Sequence, residues 1–180
     1  KELIVQQQNV DMPMTTIEES TEPVSILTAE EIYAFELLRP DWTKEQFEDR
    51  GLKKEVNDLA GEIVYSSQCV KYMFRGTETP TAVTVYALCD VDTPRNINIG
   101  DSFDKVLSLF PQEKNWENSK FGEFYGQSYE TDQHEPTGAV GNFNGERMIT
   151  LTTENVYPFI QIYFKDDRVE SYRIYLIDAH

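Results

Sequence analysis

Apolar residues recur in two rhythms along this chain, and the clearest change between them falls within NINIGDSFDKVLSLFP, residues 96–111. Ile97 and Ile99 alternate with Asn96 and Asn98, which predicts an extended stretch ended by Gly100. Asp101 or Ser102 can then accept the first free N–H groups of a helix. Phe103, Val106, Leu107 and Phe110 follow at i, i+3, i+4 and i+7, an apolar stripe expected to be buried, and Pro111 cannot continue the helix. So short a helix needs a sheet to lie on. Residues 62–75 and 81–91, rich in β-branched and aromatic side chains, read as one long hairpin. Residues 148–153, 158–165 and 169–177 read as three closing strands. A three-residue loop of Asp166, Asp167 and Arg168 between the last two would set Ile162 opposite Tyr172 and Ile160 opposite Ile174, with the apolar residues on one face.

Elsewhere the rhythm is weaker. Residues 32–38 fit a helix, since Thr28 and Glu31 have the capping-box spacing, and also a strand, since Tyr33, Phe35 and Leu37 alternate; the strand is preferred. Asp41 or Thr43 should open a short helix carrying Phe47 and closing near Gly51, with Trp42 packed over it. Residues 115–130 form an aromatic, solvated segment, and residues 132–146, with Gly138, Gly141 and Gly145, read as a long loop. Residues 1–25 have the composition of a flexible linker or tail. The fold class expected for residues 26–180 is a single α+β domain, a largely antiparallel sheet with two short helices on one face. Setting Thr43 over Ser102 gives a weak repeat at an offset of about 59 residues, which would divide the domain into 26–92 and 93–180.

Charge narrows the partners. Sixteen basic against thirty-two acidic residues give a net charge of −16, which repels phosphate backbones and anionic headgroups, so nucleic acid is not expected as a partner. No run reaches the roughly 20 apolar residues of a membrane-spanning helix. The chain begins at Lys1 without an initiator Met, as a processed product would, and membrane contact is expected only through an N-terminal lipid anchor removed with its leader.

Candidate chemistry is sparse. His134 lies in a loop sequence and His180 is the last residue, so neither is placed to activate a nucleophile. No HExxH, GxSxG, phosphate-cradling glycine loop or calcium-binding loop occurs. Carboxylate pairs such as Asp90 with Asp92 arise by number alone among thirty-two acids. No catalytic residue, cofactor or metal ligand is assigned. The enzymatic alternative is an extracellular hydrolase whose acidic catalytic residues the sequence does not identify.

Aromatic content says more. If Ile160, Ile162 and Ile174 face the helices, then Phe159, Gln161, Tyr163, Arg173 and Tyr175 share the opposite face. Tyr, Phe and Arg are the side chains that dominate protein interfaces, and these five are the candidate partner surface; a cross-strand aromatic ladder that only stabilises the sheet is the other reading. In a hairpin turning at Thr79, residues whose numbers sum to 158 are opposed: Cys69 with Cys89, Met73 with Val85, Tyr72 with Tyr86. Opposed residues lie about 4.5–5.5 Å apart at Cα, within disulfide range. Two reduced cysteines packed in the sheet remain the alternative. A bond would point to export, since disulfides rarely persist in the cytosol.

The pattern I-x-I-G-D-S-x-x-x-V-x-x-x-F-P (residues 97–111), followed by a sheet ending in I-x-I-Y-F-x-D-D-x-V-x-S-Y-x-I (residues 160–174), resembles the helix-then-strands unit of β-lactamase-inhibitor-protein-like domains. It also resembles the small lipoprotein of the outer-membrane barrel assembly machine, and uncharacterised lipoproteins of Gram-positive bacteria that carry the unit in tandem. The likeness covers residues 96–177 well and 32–91 loosely. It implies an exported, lipid-anchored cell-surface protein that binds another protein or a cell-envelope component through a sheet face or loops.

Overall fold

A computed structural model describes residues 24–127 and 135–177. The tail assigned to residues 1–25 lies outside them except for Val24 and Ser25, as do Tyr129, His134 and His180. Among the described residues nine strands form one antiparallel sheet in the order β1-β2-β3-β4-β9-β8-β7-β6-β5. These are β1 (Lys53–Asn57), β2 (Glu62–Ser66), β3 (Val70–Arg75), β4 (Ala82–Val85), β5 (Glu123–Tyr125), β6 (Gly138–Phe143), β7 (Glu146–Thr152), β8 (Phe159–Lys165) and β9 (Arg168–Tyr175). Among the described residues three short α-helices accompany the sheet: α1 (Ala29–Tyr33), α2 (Lys44–Asp49) and α3 (Phe103–Leu107). The fold is therefore α+β and mostly sheet, with one helix more than expected. Two meanders, β1 to β4 and β5 to β9, meet where their last strands pair.

Period-two burial fixes which side of the sheet is covered. Tyr65, Tyr72, Phe74, Val83, Tyr172, Ile174, Ile160, Ile162, Ile149 and Leu151 are buried, together with Phe47, Ile32, Phe103, Val106 and Phe110 of the helices and their ends. Phe47 is the aromatic centre of the first half, with ring centroids 4.5 Å from Tyr72, 5.2 Å from Trp42 and 5.6 Å from both Tyr65 and Phe74. Arg39 and Arg50 in turn lie over the Trp42 ring.

Several expectations need correction. Residues 29–33 are helix, because the capping box is made: Glu31 N–H bonds Thr28 Oγ1, and Thr28 N–H bonds the Glu31 carboxylate at 2.8 Å. The expected strand at 96–99 is a 3-10 turn over Pro94–Asn96, with Arg95 and Asn96 both at positive φ. Leu107 is half-buried; α3 ends at that residue, and the stripe's buried members are Phe103, Val106 and, past the helix, Phe110. The long hairpin is two hairpins. A turn in which Ser67 N–H bonds Val70 O at 2.9 Å separates β2 from β3. Thr81 then clamps Met73 O with both its N–H and its hydroxyl, setting Met73 opposite Ala82 and Tyr72 opposite Val83 rather than Val85 and Tyr86.

Two aromatic-rich stretches also differ. Phe124 and Tyr125 are fully buried in β5, not solvated. Much of the expected loop at 132–146 is β6, whose first residue, Gly138, has no Cβ because one would stand 2.3 Å from the Tyr125 ring and 2.5 Å from that of Phe124. Asn144 and Gly145, both at positive φ, turn β6 into β7.

The closing hairpin has the expected facing pairs, Ile160 with Ile174 and Ile162 with Tyr172, by a different route. Asp166 and Asp167 form a two-residue turn at positive φ, and a bulge that leaves Glu170 unpaired restores the register a three-residue loop would have given. Where β4 no longer flanks β9, the segment before α3 takes its place. Gly100 N–H bonds Val169 O, Val169 N–H bonds Asp101 O, and Phe103 N–H bonds Asp167 O.

Candidate interaction face

The face turned away from the helices gathers all five candidate residues. On β8 and β9, Phe159 is directly opposite Tyr175, and Gln161 is opposite Arg173. The Phe159 and Tyr175 rings stack at 4.5 Å with 14° between planes. The Tyr163 hydroxyl donates to Gln161 Oε1 at 2.8 Å, and its ring meets Phe143 at 5.1 Å. Arg173 Nε donates to Thr84 Oγ1 of β4 at 3.0 Å. Tyr157 extends the aromatic run beyond Phe159 at 5.3 Å. All five side chains are half-buried.

Burial, and then the neighbouring Tyr175 hydroxyl, push the Tyr163 phenol up to about 12, so it stays a neutral donor at any physiological pH. A cavity of about 230 Å³ opens beside it, lined by Phe143, Tyr163 and Arg173 together with Glu146, Arg147 and Glu170. Two larger cavities, of about 370 and 600 Å³, lie near Tyr33, Pro40 and Asp41, away from this face. Among the described residues, no group of three or more His, Cys, Asp or Glu side chains is placed to hold a metal ion.

Cys69 and Cys89 are joined by a disulfide, with Cα atoms 5.5 Å apart. The proposed register is not the cause. Tyr86 N–H bonds Cys69 O, so Tyr86 is the residue opposite Cys69, and the chain then doubles back to bring in Cys89. The bond ties the β2–β3 turn to the segment leaving β4.

Sequence reasoning missed Arg95, whose side chain is heavily bonded among the described residues. Its guanidinium donates to both Glu31 carboxylate oxygens, at 2.8 and 3.0 Å, and to the carbonyls of Ser25, Ile26 and Leu109, while lying over the Phe110 ring at 4.9 Å. It clasps the segment leading into α1, α1 itself and the chain just past α3. Nothing in its local sequence, TPRN, signals this, because every partner is remote in the chain.

No family model, curated protein or solved structure matches this chain.

Proposed function

We propose that this protein is a non-enzymatic binding module that docks another protein, or a cell-envelope component, on the open face of β8 and β9. The observation that carries the reading is the contiguous run of Phe143, Tyr163, Gln161, Arg173, Tyr175 and Phe159 on a sheet face that no helix among the described residues covers. Half-buried aromatic rings with a fixed guanidinium among them offer a partner large area at little cost in side-chain ordering.

Export to the cell surface is part of the proposal, and the Cys69–Cys89 bond supports it, since such bonds persist in oxidising compartments. Attachment through a lipid-modified N-terminus is the form of anchoring we propose. We also propose a tandem origin in the β-lactamase-inhibitor-protein-like group. In support, Thr43 and Ser102 each cap a short helix that precedes a meander, and the two meanders join at their final strands.

The test is capture from envelope extracts of the source cell by the wild-type chain and by a Tyr163→Ala/Tyr175→Ala variant, with unfolding midpoints measured for both. A partner retained by the wild type and lost by a folded variant is the expected outcome. Equal capture by both would refute the face, and turnover in a broad hydrolase screen with no partner recovered would favour an enzyme.

A further inference from the structure

The turn between β6 and β7 holds a reactive pair. Asn144 and Gly145 are its two residues, both exposed and both at positive φ, 53° and 89°. Of the asparagines in the chain only Asn144 is followed by glycine. That sets it apart, because an asparagine side chain can be attacked by the backbone nitrogen of the next residue, and glycine, with no Cβ, leaves that nitrogen open to approach. Here the nitrogen is held. Gly145 N–H donates to Asn142 Oδ1 at 3.0 Å, from the side chain two residues before Asn144 on β6. The turn also adjoins the candidate face: the Phe143 ring meets that of Tyr163 at 5.1 Å, and Asn144 lines the cavity beside Tyr163.

We propose that Asn144 is a site of spontaneous conversion to aspartate and isoaspartate, and that the Asn142 side chain sets its pace. An amide nitrogen attacks only after losing its proton to hydroxide. The Gly145 nitrogen then bonds Asn144 Cγ, the Cγ–Nδ2 bond breaks, and ammonia leaves with a proton taken from water, which closes a five-membered succinimide. Water opens this ring at either carbonyl. One opening gives aspartate; the other gives isoaspartate, whose main chain runs through the former side chain and is longer by an atom. The bond to Asn142 Oδ1 keeps the proton on the Gly145 nitrogen and must be given up before attack, so it acts as a brake. Asn142 is thus a positioning residue that is not itself consumed. Either product puts a carboxylate in place of a neutral amide at a cavity that Glu146 and Glu170 already line, and isoaspartate lengthens the turn next to Phe143.

The test is incubation of the wild-type chain, Asn142→Ala and Asn142→Asp in mildly alkaline buffer, folded and in urea, followed by peptide mapping with fragmentation that separates aspartate from isoaspartate. Unfolding midpoints show that each variant is folded, and Asn142→Leu replaces Asn142→Ala if the latter is not. In the folded wild type, conversion is expected at Asn144 ahead of every other asparagine, slower than at the same residue in urea, and faster as pH rises. Asn142→Ala, which removes the acceptor, should speed it about 2–12-fold, the worth of one net hydrogen bond, whereas Asn142→Asp, which keeps an acceptor oxygen, should not. Equal rates in wild type and Asn142→Ala would overturn the brake, as would equal rates in the folded chain and in urea. No conversion at Asn144 in either folded chain, or earlier conversion at another asparagine, would overturn the site.

Discussion

Replacing Arg95 with Met keeps the aliphatic stem and removes the guanidinium, with its place over Phe110 and its hydrogen bonds, so the cost can be worked chiefly from those bonds. The side chain is 11% exposed, and its carboxylate partner on Glu31 is 36% exposed. A hydrogen bond to a charged group contributes about 1.5–3 kcal/mol, and the half-exposed Glu31 places the paired interaction toward the lower end. The part-buried Leu109 carbonyl loses its donor, for about 1 kcal/mol more, while the outlying Ser25 and Ile26 carbonyls can turn to water. The total is about 2–4 kcal/mol, or roughly 4–16 °C in Tm for a domain of this size. Urea unfolding followed by Trp42 and Trp116 fluorescence measures it.

The pH dependence supplies an independent check. Burial by itself would raise the Glu31 carboxyl, but the bonds from Arg95 and Thr28 outweigh it and hold the group below its usual 4.5. A carboxyl depressed on folding stabilises fully above its unfolded pKa, and that contribution is lost as pH falls below about 4.5 through the native value. Arg95→Met should therefore flatten the acid limb of stability against pH. In a double-mutant cycle Glu31→Gln, which can still accept from Thr28 N–H, should couple to Arg95→Met by about 1–2 kcal/mol. A loss under about 0.5 kcal/mol with an unchanged acid limb would refute the clasp.

Phe47→Ala should cost about 3–5 kcal/mol by chemical denaturation, since it empties the centre of four aromatic contacts, whereas half-buried Leu107→Ala should cost only about 1–2 kcal/mol. A double Cys69→Ser/Cys89→Ser variant should lose about 3 kcal/mol, the loop-closure value for a separation of 20 residues, and the wild-type chain should take up no alkylating reagent, by intact mass, until it is reduced. Tyr163→Phe removes the hydroxyl that bonds Gln161 on the open face and should change stability by less than about 1 kcal/mol while weakening partner capture; an unfolding midpoint that collapses would instead mark the face as structural.

What the sequence determined by itself is whatever short-range chemistry decides. Ser102 before Phe103 and Val106 specifies α3, Thr43 before Phe47 specifies α2, and the alternation in 158–177 specifies both the closing hairpin and the face on which Phe159, Gln161, Tyr163, Arg173 and Tyr175 fall. Some signals were present and outweighed: the Thr28–Glu31 capping box was the stronger sign for α1, and Asn144-Gly145 marked a hairpin inside a stretch read as loop. The fully exposed β1 has no apolar alternation to read and is ordered by its pairing with β2. Only the tertiary structure decided the rest. The β4–β9 pairing joins strands far apart in the chain, Arg95 finds its partners across three segments, and Cys89 reaches Cys69 by a turn rather than by strand register. The alignment of Lys71, Thr84 and Arg173 across the open face likewise exists only once that pairing is made, because a strand's own sequence carries its period but not the identity of its neighbour.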